Sequence, residues 1–285
     1  MVLELFLQKP VTKSEWKAND FELVAGLEFI KNVITKNSND YCFAEYVEPR
    51  RLNSKFYNSS MQFDLKFTPK GPIYQFKNKK SWETVLQEKC NNSYYIVLPI
   101  TYQAESTNNV WMHQTAAFVN KKLKLIEHFD PEGDYWLDTV EQVKNLTEEE
   151  CLTEYYMSKT LTISFFENLK YTIQSKISEF FPDYKLESNF QVCPVALQVL
   201  AEKNEYAHNQ TNLHKKNFGM YADFCQAWSL WYVQARITLP DLTQAELIDR
   251  LLKYHKSNPL ELTEFIRAYG NWIKNKSDYY KHLSV

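Results

Sequence analysis

Three residue types that together can make a nucleophile occur in one order along this chain: His113, Asp130 and Cys225. Cys225 stands in Asp223-Phe224-Cys225-Gln226-Ala227-Trp228-Ser229-Leu230-Trp231-Tyr232, a run apolar enough to be a buried helix with the thiol near its start. A helix N-terminus carries about half a positive charge on unpaired N–H groups, which favours thiolate over thiol. His113 heads Gln114-Thr115-Ala116-Ala117-Phe118-Val119, and Asp130 closes Leu123-Lys124-Leu125-Ile126-Glu127-His128-Phe129. Two short strands joined by the turn Asn120-Lys121-Lys122 bring those ends together. Each residue alone has an ordinary reading: a cysteine among aromatics packs in cores, a strand-end histidine is solvated, and an Asp before Pro131-Glu132-Gly133 forms a turn. Their combination, each at the end of an element, points to a thiol nucleophile, its general base and an orienting carboxylate.

The same residues carry a likeness to a known family. His113, the strand pair leading to Glu127-His128-Phe129-Asp130-Pro131-Glu132-Gly133, the spacing between His113 and Asp130, and the cysteine run resemble the Ulp-like cysteine peptidases. That superfamily includes SUMO proteases, the adenovirus maturation protease and proteins of large DNA viruses and bacterial effectors. Arg236-Ile237-Thr238-Leu239-Pro240-Asp241, with Phe265-Ile266-Arg267-Ala268-Tyr269 after it, is similar to the segment downstream of the cysteine in the large-DNA-virus branch. The likeness runs from Tyr94 to Trp272. Three departures accompany it. Gln114 comes directly after the histidine where most of the family has Trp, with Trp111 two places before it. Phe224 and Gln226 stand where Gly commonly flanks the cysteine. Phe218-Gly219-Met220 occupies the place of the family's oxyanion Gln, which leaves Gln198 in Cys193-Pro194-Val195-Ala196-Leu197-Gln198 as first substitute and Gln191 as second.

The resemblance implies an α+β, papain-like core: a central sheet, a buried helix bearing the cysteine, and extra helices. It implies that His113 takes the proton of Cys225, that Asp130 orients the imidazole, and that the Cys225 N–H with a Gln side chain holds the oxyanion. The implied substrate is a protein, either a ubiquitin-like protein or a viral precursor, with no metal and no cofactor. Two other functions stay open: a catalytically inactive binding module on the same fold, and an acyltransferase of the bacterial-effector kind.

Composition bounds these readings. With 44% hydrophobic and 15% aromatic residues, five Gly and ten Pro in 285 residues, the chain is a folded protein without long flexible linkers. A formal net charge of −2 provides no global field for nucleic acid or a membrane surface. The lysines of 66–80 read as a solvated strand and turn, not a nucleic-acid surface. Five cysteines at 42, 90, 151, 193 and 225, an odd count with no C-x-x-C pair, argue against a zinc cage or a disulfide framework, and hence for a reducing, intracellular setting. That setting is the virus particle or host cytoplasm if the protein is viral. Met1 to Pro10 has no basic head of a signal peptide, and no run of about 18 apolar residues predicts a membrane helix.

Periodicity places the supporting elements. Glu15 to Lys36 is an amphipathic helix, and Met61 to Phe67 alternates as a strand. Tyr94 to Ile100 is a buried strand that Pro99 marks as an edge or a bulge, and it leads into a polar loop from Gln103 to Asn109. Thr147 to Pro182 is helical, with Phe165, Phe166, Leu169, Ile173, Ile177 and Phe180 on one face. Helices at Cys225 to Thr238, Thr243 to His255 and Glu261 to Asn275 complete the chain. The expected organisation is an N-terminal extension over 1–85 packed on a core over 86–285, with a helical insertion at about 140–185.

Overall fold

The computed structural model describes residues 23–36, 38–44, 60–77, 79–105, 110–131, 133, 136–188, 197, 224–255 and 259–283. Their elements run α1 (Leu23–Phe29, continued as a π-turn over Ile30–Ile34), β1 (Tyr41–Phe43), β2 (Met61–Lys66), β3 (Ile73–Phe76), α2 (Lys79–Thr84, continued as a π-turn over Val85–Lys89), β4 (Tyr95–Glu105), β5 (Val110–Asn120) and β6 (Leu125–Phe129). Next come α3 (Trp136–Asn145), α4 (Glu148–Tyr155), α5 (Lys159–Ser178), β7 (Lys185–Ser188), α6 (Phe224–Thr238), α7 (Gln244–Tyr254) and α8 (Pro259–Leu283). The molecule is thus of mixed α and β structure, built on a seven-stranded mixed sheet of order β3-β2-β4-β5-β6-β7, with β1 also paired to β4. β1, β2 and β3, from the N-terminal stretch, are strands of the same sheet as the later ones.

β4 is the axis of that sheet, and Pro99 explains how it is shared. β1 runs parallel to β4 as far as Val97, and β2 begins its own parallel pairing at Ile100. Pro99, opposite Ala116 of β5, falls between the last residue paired with β1 and the first paired with β2. The proline therefore marks a handover between two neighbours inside the sheet, which corrects the expectation of an edge or a bulge. β4 also continues to Glu105, so residues 103–105 of the expected loop are strand. Between β5 and β6 the chain turns over residues 121–124, with Lys124 at a φ of 50°, so Leu123 and Lys124 lie in the turn rather than in β6.

Alternation along β5 divides the core in two. Ala116 and Phe118 face α6 and pack with Phe129, α1, α7 and α8. Ala117 and Val119 face the opposite side and pack with Trp82, Ile126 and the Phe165, Leu169, Ile173 and Ile177 stripe of α5. α6 lies between the sheet and α8, and every residue from Phe224 to Ile237 except Gln226 is buried. Phe129 stacks on Tyr232 at 4.4 Å, and Trp228 and Trp231 meet Phe265 of α8 at 6.0 and 6.2 Å.

A second correction concerns the cysteines. Cys42 of β1 is bonded to Cys90, with the Cα atoms 5.3 Å apart. Cys90 closes the turn that leads into β4, and β1 pairs with the start of β4. An odd count with no short spacing cannot register two residues, 48 apart, that a strand pairing brings together. The cysteine argument for a reducing setting loses its ground. Cys151 and Cys225 are free and buried.

Two buried polar joints tie the layers. On the helical side, Glu127 of β6 accepts from Arg236 Nε at 2.6 Å and from Tyr232 Oη at 3.1 Å, while Arg236 Nη1 donates to the carbonyls of Leu239 and Leu242. Burial pushes the Glu127 carboxyl above its usual range despite the guanidinium beside it. On the other side of the sheet, Tyr102 Oη contacts Thr115 Oγ1 at 3.0 Å and His128 Nε2 at 2.9 Å, and Thr115 Oγ1 and His128 Nε2 are 3.2 Å apart. Burial, opposed by the charge of Asp130 and reinforced by His113, lowers the His128 pKa to about 4.

Each joint has a measurable consequence. Arg236→Ala leaves the Glu127 carboxylate buried without its cation and lowers unfolding free energy by about 3 to 5 kcal/mol, read as a drop in urea midpoint at unchanged slope; the double exchange Glu127→Leu with Arg236→Met recovers a large part of it. For His128, the folded pKa of about 4 lies below the unfolded value of about 6.5. Its contribution to stability is therefore complete above the unfolded pKa and is lost as pH falls through the folded one. Between about pH 7 and pH 5 the wild type loses on the order of 2 kcal/mol more than His128→Gln does. Parallel pH profiles for the two proteins contradict the assignment.

Candidate active site

β5 carries the histidine. His113 is the fourth residue of the strand, 1% exposed, and so lies inside the strand and not at its solvated end. The register sets it directly opposite Tyr102 of β4. Asp130 comes immediately after β6 and is 2% exposed. His113 Nε2 and Asp130 Oδ1 are 2.7 Å apart, which joins the two residues expected to act together. With Asp130 on Nε2, the ring's other nitrogen is Nδ1.

The chain reaches this geometry for local reasons. Over residues 113–119 the strand puts His113, Thr115, Ala117 and Val119 on one face and Gln114, Ala116 and Phe118 on the other. Ala116, in the middle of β5, is the first of its residues paired with β6, opposite Phe129. Beyond that pair β6 stops and the chain turns at Asp130, whose carbonyl accepts from the Gly133 N–H at 3.1 Å. Gly133 takes a φ of 55°, a left-handed conformation that suits glycine. The chain thus turns away after Asp130, whose carboxylate stays beside His113 of β5.

Cys225 is the second residue of α6 and is 6% exposed. Its helix is registered on β5 by Ser229 Oγ, which donates to the Gln114 carbonyl at 3.1 Å. The helix runs in the same direction as β5: Ser229 lies at Gln114, while the Arg236 guanidinium lies over Phe118, 5.4 Å from the ring centre. Cys225 is one turn before Ser229, about 6 Å along the axis, which carries it towards the His113 end of the strand. The geometry therefore joins His113 to Asp130 directly and sets Cys225 at the same end of the same strand. Alternation puts the His113 side chain with Tyr102 and Thr115, on the face away from α6.

Gln114, where most Ulp-like peptidases have Trp, is 7% exposed, and its amide is engaged inside the sheet. Nε2 donates to the Ile100 carbonyl at 2.8 Å and Oε1 accepts from Thr101 Oγ1 at 3.1 Å. Gln191 and Gln198 lie outside the described residues, as does the side chain of Trp111. Sequence reasoning passed over Tyr102, Thr115 and His128, whose polar atoms cluster beside the His–Asp pair; Tyr102 and Thr115 sit in strands that read as ordinary β sequence, and only the register reveals their proximity. Among the described residues there is no group of three or more His, Cys, Asp or Glu that could hold a metal ion. No helix among them is long and apolar enough to cross a membrane.

Comparison with known proteins adds little to this geometry. No family model matches the chain. A putative ankyrin repeat protein of Acanthamoeba polyphaga mimivirus is 23% identical over 223 residues, which is 77% of this chain and 25% of that protein. The chain thus spans about a quarter of the length of that relative. Among solved structures, the Legionella pneumophila effector protein RavZ (1-487) aligns over 90% of this chain and 66% of that one, with a TM-score of 0.36 and 11% identity. A second structure of the same effector aligns over 84% and 74%, with a TM-score of 0.27 and 11% identity. Similarity at these scores establishes neither a shared fold nor a shared activity, and the chain is placed by its own residues.

Proposed function

We propose that this protein is a cysteine peptidase or isopeptidase of the papain-like, Ulp-like kind, in which Cys225 attacks a carbonyl, His113 serves as base and then acid, and Asp130 orients the imidazole. The observation that carries the reading is the buried 2.7 Å contact between His113 Nε2 and Asp130 at the strand end towards which the first turn of α6 carries Cys225. A carboxylate held against an imidazole inside a sheet costs desolvation, and a base that must become imidazolium during the reaction supplies a reason for it. The thiol gives its proton to Nδ1, the sulfur bonds to the substrate carbonyl carbon, and the imidazolium returns the proton to the departing amine. Water then adds to the thioester and releases the acid and the free thiol. The backbone N–H of Cys225 and a side-chain amide, Gln198 first and Gln191 second, hold the oxyanion. The substrate is a protein, either a ubiquitin-like conjugate or a viral precursor.

Peptide-level alkylation tests the nucleophile without a known substrate. Cys225 reacts with iodoacetamide at about neutral pH at least tenfold faster than Cys151, and His113→Ala removes that advantage. Ubiquitin-like electrophilic probes and candidate precursor proteins then form adducts or are cleaved only when Cys225 is present. An inert Cys225 in the folded protein leaves the binding module as the function. With a cleavable substrate in hand, His113→Ala and Asp130→Ala combined cost scarcely more than the worse single exchange, because the residues act as one unit.

The oxyanion donor has its own test. Gln198→Ala lowers kcat by about a hundredfold or more with little change in KM, since that bond forms in the transition state. Gln191→Ala is nearly silent, and the opposite pattern moves the role to Gln191.

A further inference from the structure

Among the described strand residues, the buried polar groups on the sheet face that carries His113 gather at one end. Along that face Ile96, Leu98, Ala117, Val119 and Ile126 form an apolar layer. At the His113 end the composition changes to Tyr102, Thr115 and His128, which are 0%, 0% and 1% exposed. Their three polar atoms form a closed triangle of 2.9, 3.0 and 3.2 Å. Tyr102 is the direct cross-strand partner of His113, with the rings 6.0 Å apart at 37°. His128 lies in β6 two residues before Asp130, which follows the strand, so whatever holds His128 also fixes the direction in which the chain delivers the carboxylate. Apolar side chains of equal volume would serve stability at least as well, whereas a buried polar network selects a single arrangement of its strands.

Building on the reading of the site as a thiol peptidase, we infer that Tyr102, Thr115 and His128 are positioning residues that hold the His113 imidazole and the Asp130 carboxylate in register. Tyr102 is the wall against which the His113 ring rests, and its hydroxyl ties β4 to β5 and β6 at the level of the pair. The ionisable groups acting on His128 are Asp130 and His113, together with the Tyr102 hydroxyl that contacts it. Burial lowers the His128 pKa to about 4, so near neutral pH its ring is uncharged and does not compete as a cation for Asp130. None of the three needs to touch substrate.

The test is the pH profile of Cys225 alkylation by iodoacetamide, resolved peptide by peptide with Cys151 as internal reference, in the full-length wild type, Tyr102→Phe, His128→Gln and His113→Ala. The phenylalanine keeps the ring and deletes only the hydroxyl. A thiolate held by an oriented imidazolium reacts at about pH 6 nearly as fast as at about pH 9. Tyr102→Phe is expected to lower the rate at about pH 6 roughly tenfold and to leave the rate at about pH 9 within about twofold. His128→Gln supplies the same comparison should the Tyr102 variant fail to fold. An unchanged ratio between the two pH values in both variants overturns the inference. So do parallel changes at both values accompanied by a change at Cys151, which report a loosened fold. A wild type whose Cys225 behaves as an ordinary thiol, and is unaffected by His113→Ala, sinks the reading of the site itself and this inference with it.

Discussion

α6 has almost no polar face, and the contact between it and the β5–β6 surface governs the geometry of everything around it. A helix buried on all sides must satisfy its few polar side chains from its neighbours. Glu127 meets Arg236 and Tyr232 from the sheet, while Tyr269 Oη donates to Gln234 Oε1 at 2.8 Å from α8. Ser229 completes the set through the Gln114 carbonyl. These contacts are spaced along the helix, so its rotation and its axial position are both determined. The position of Cys225 relative to β5 is set by them.

The sheet is built to hold that contact rigid. β4 is bordered on one side by two strands in succession, with Pro99 at the junction, and on the other by the whole length of β5. The Cys42–Cys90 bond fastens β1 to the lead-in of β4. Tyr41 of the same strand donates to the Ile237 carbonyl at the last turn of α6, 3.4 Å away. The N-terminal strands are therefore joined to the far end of the helix whose first turn bears the thiol. Gln244 Nε2, which donates to the His128 carbonyl at 3.1 Å, connects α7 to β6 in the same manner.

Polarity is distributed along the sheet and not only across it. Residues 116–119 of β5 present apolar side chains to both cores, as a central strand does. The three residues before them are different: His113, Gln114 and Thr115 are all buried and all engaged through polar atoms. The strand passes from a packing element to a polar one where β6 ends. That change concentrates buried hydrogen bonding at the His113 end of the sheet and leaves apolar packing further along.

The types and order of His113, Asp130 and Cys225, the strand pair between the first two, the buried helix after the third, the helical stretch at 147–182 and the capped start of α7 at Thr243 were all legible in the sequence. Each rests on local information: a residue type, a spacing, a period of 2.0 or 3.6, or a capping box such as Thr243 with Glu246. Other features were not legible, because they depend on register between segments far apart. The role of Pro99 required knowing where β1 and β2 stop and start along β4. The Cys42–Cys90 pair required β1 to lie beside the start of β4. The engagement of Gln114 and the triangle of Tyr102, Thr115 and His128 required the β4–β5–β6 pairing, in which a slip of one residue would reverse every side chain. Sequence alone determined which groups could do chemistry. The tertiary structure decided which of them share a face and an end of one strand, because strand register and helix rotation are set by contacts between residues tens to hundreds of positions apart.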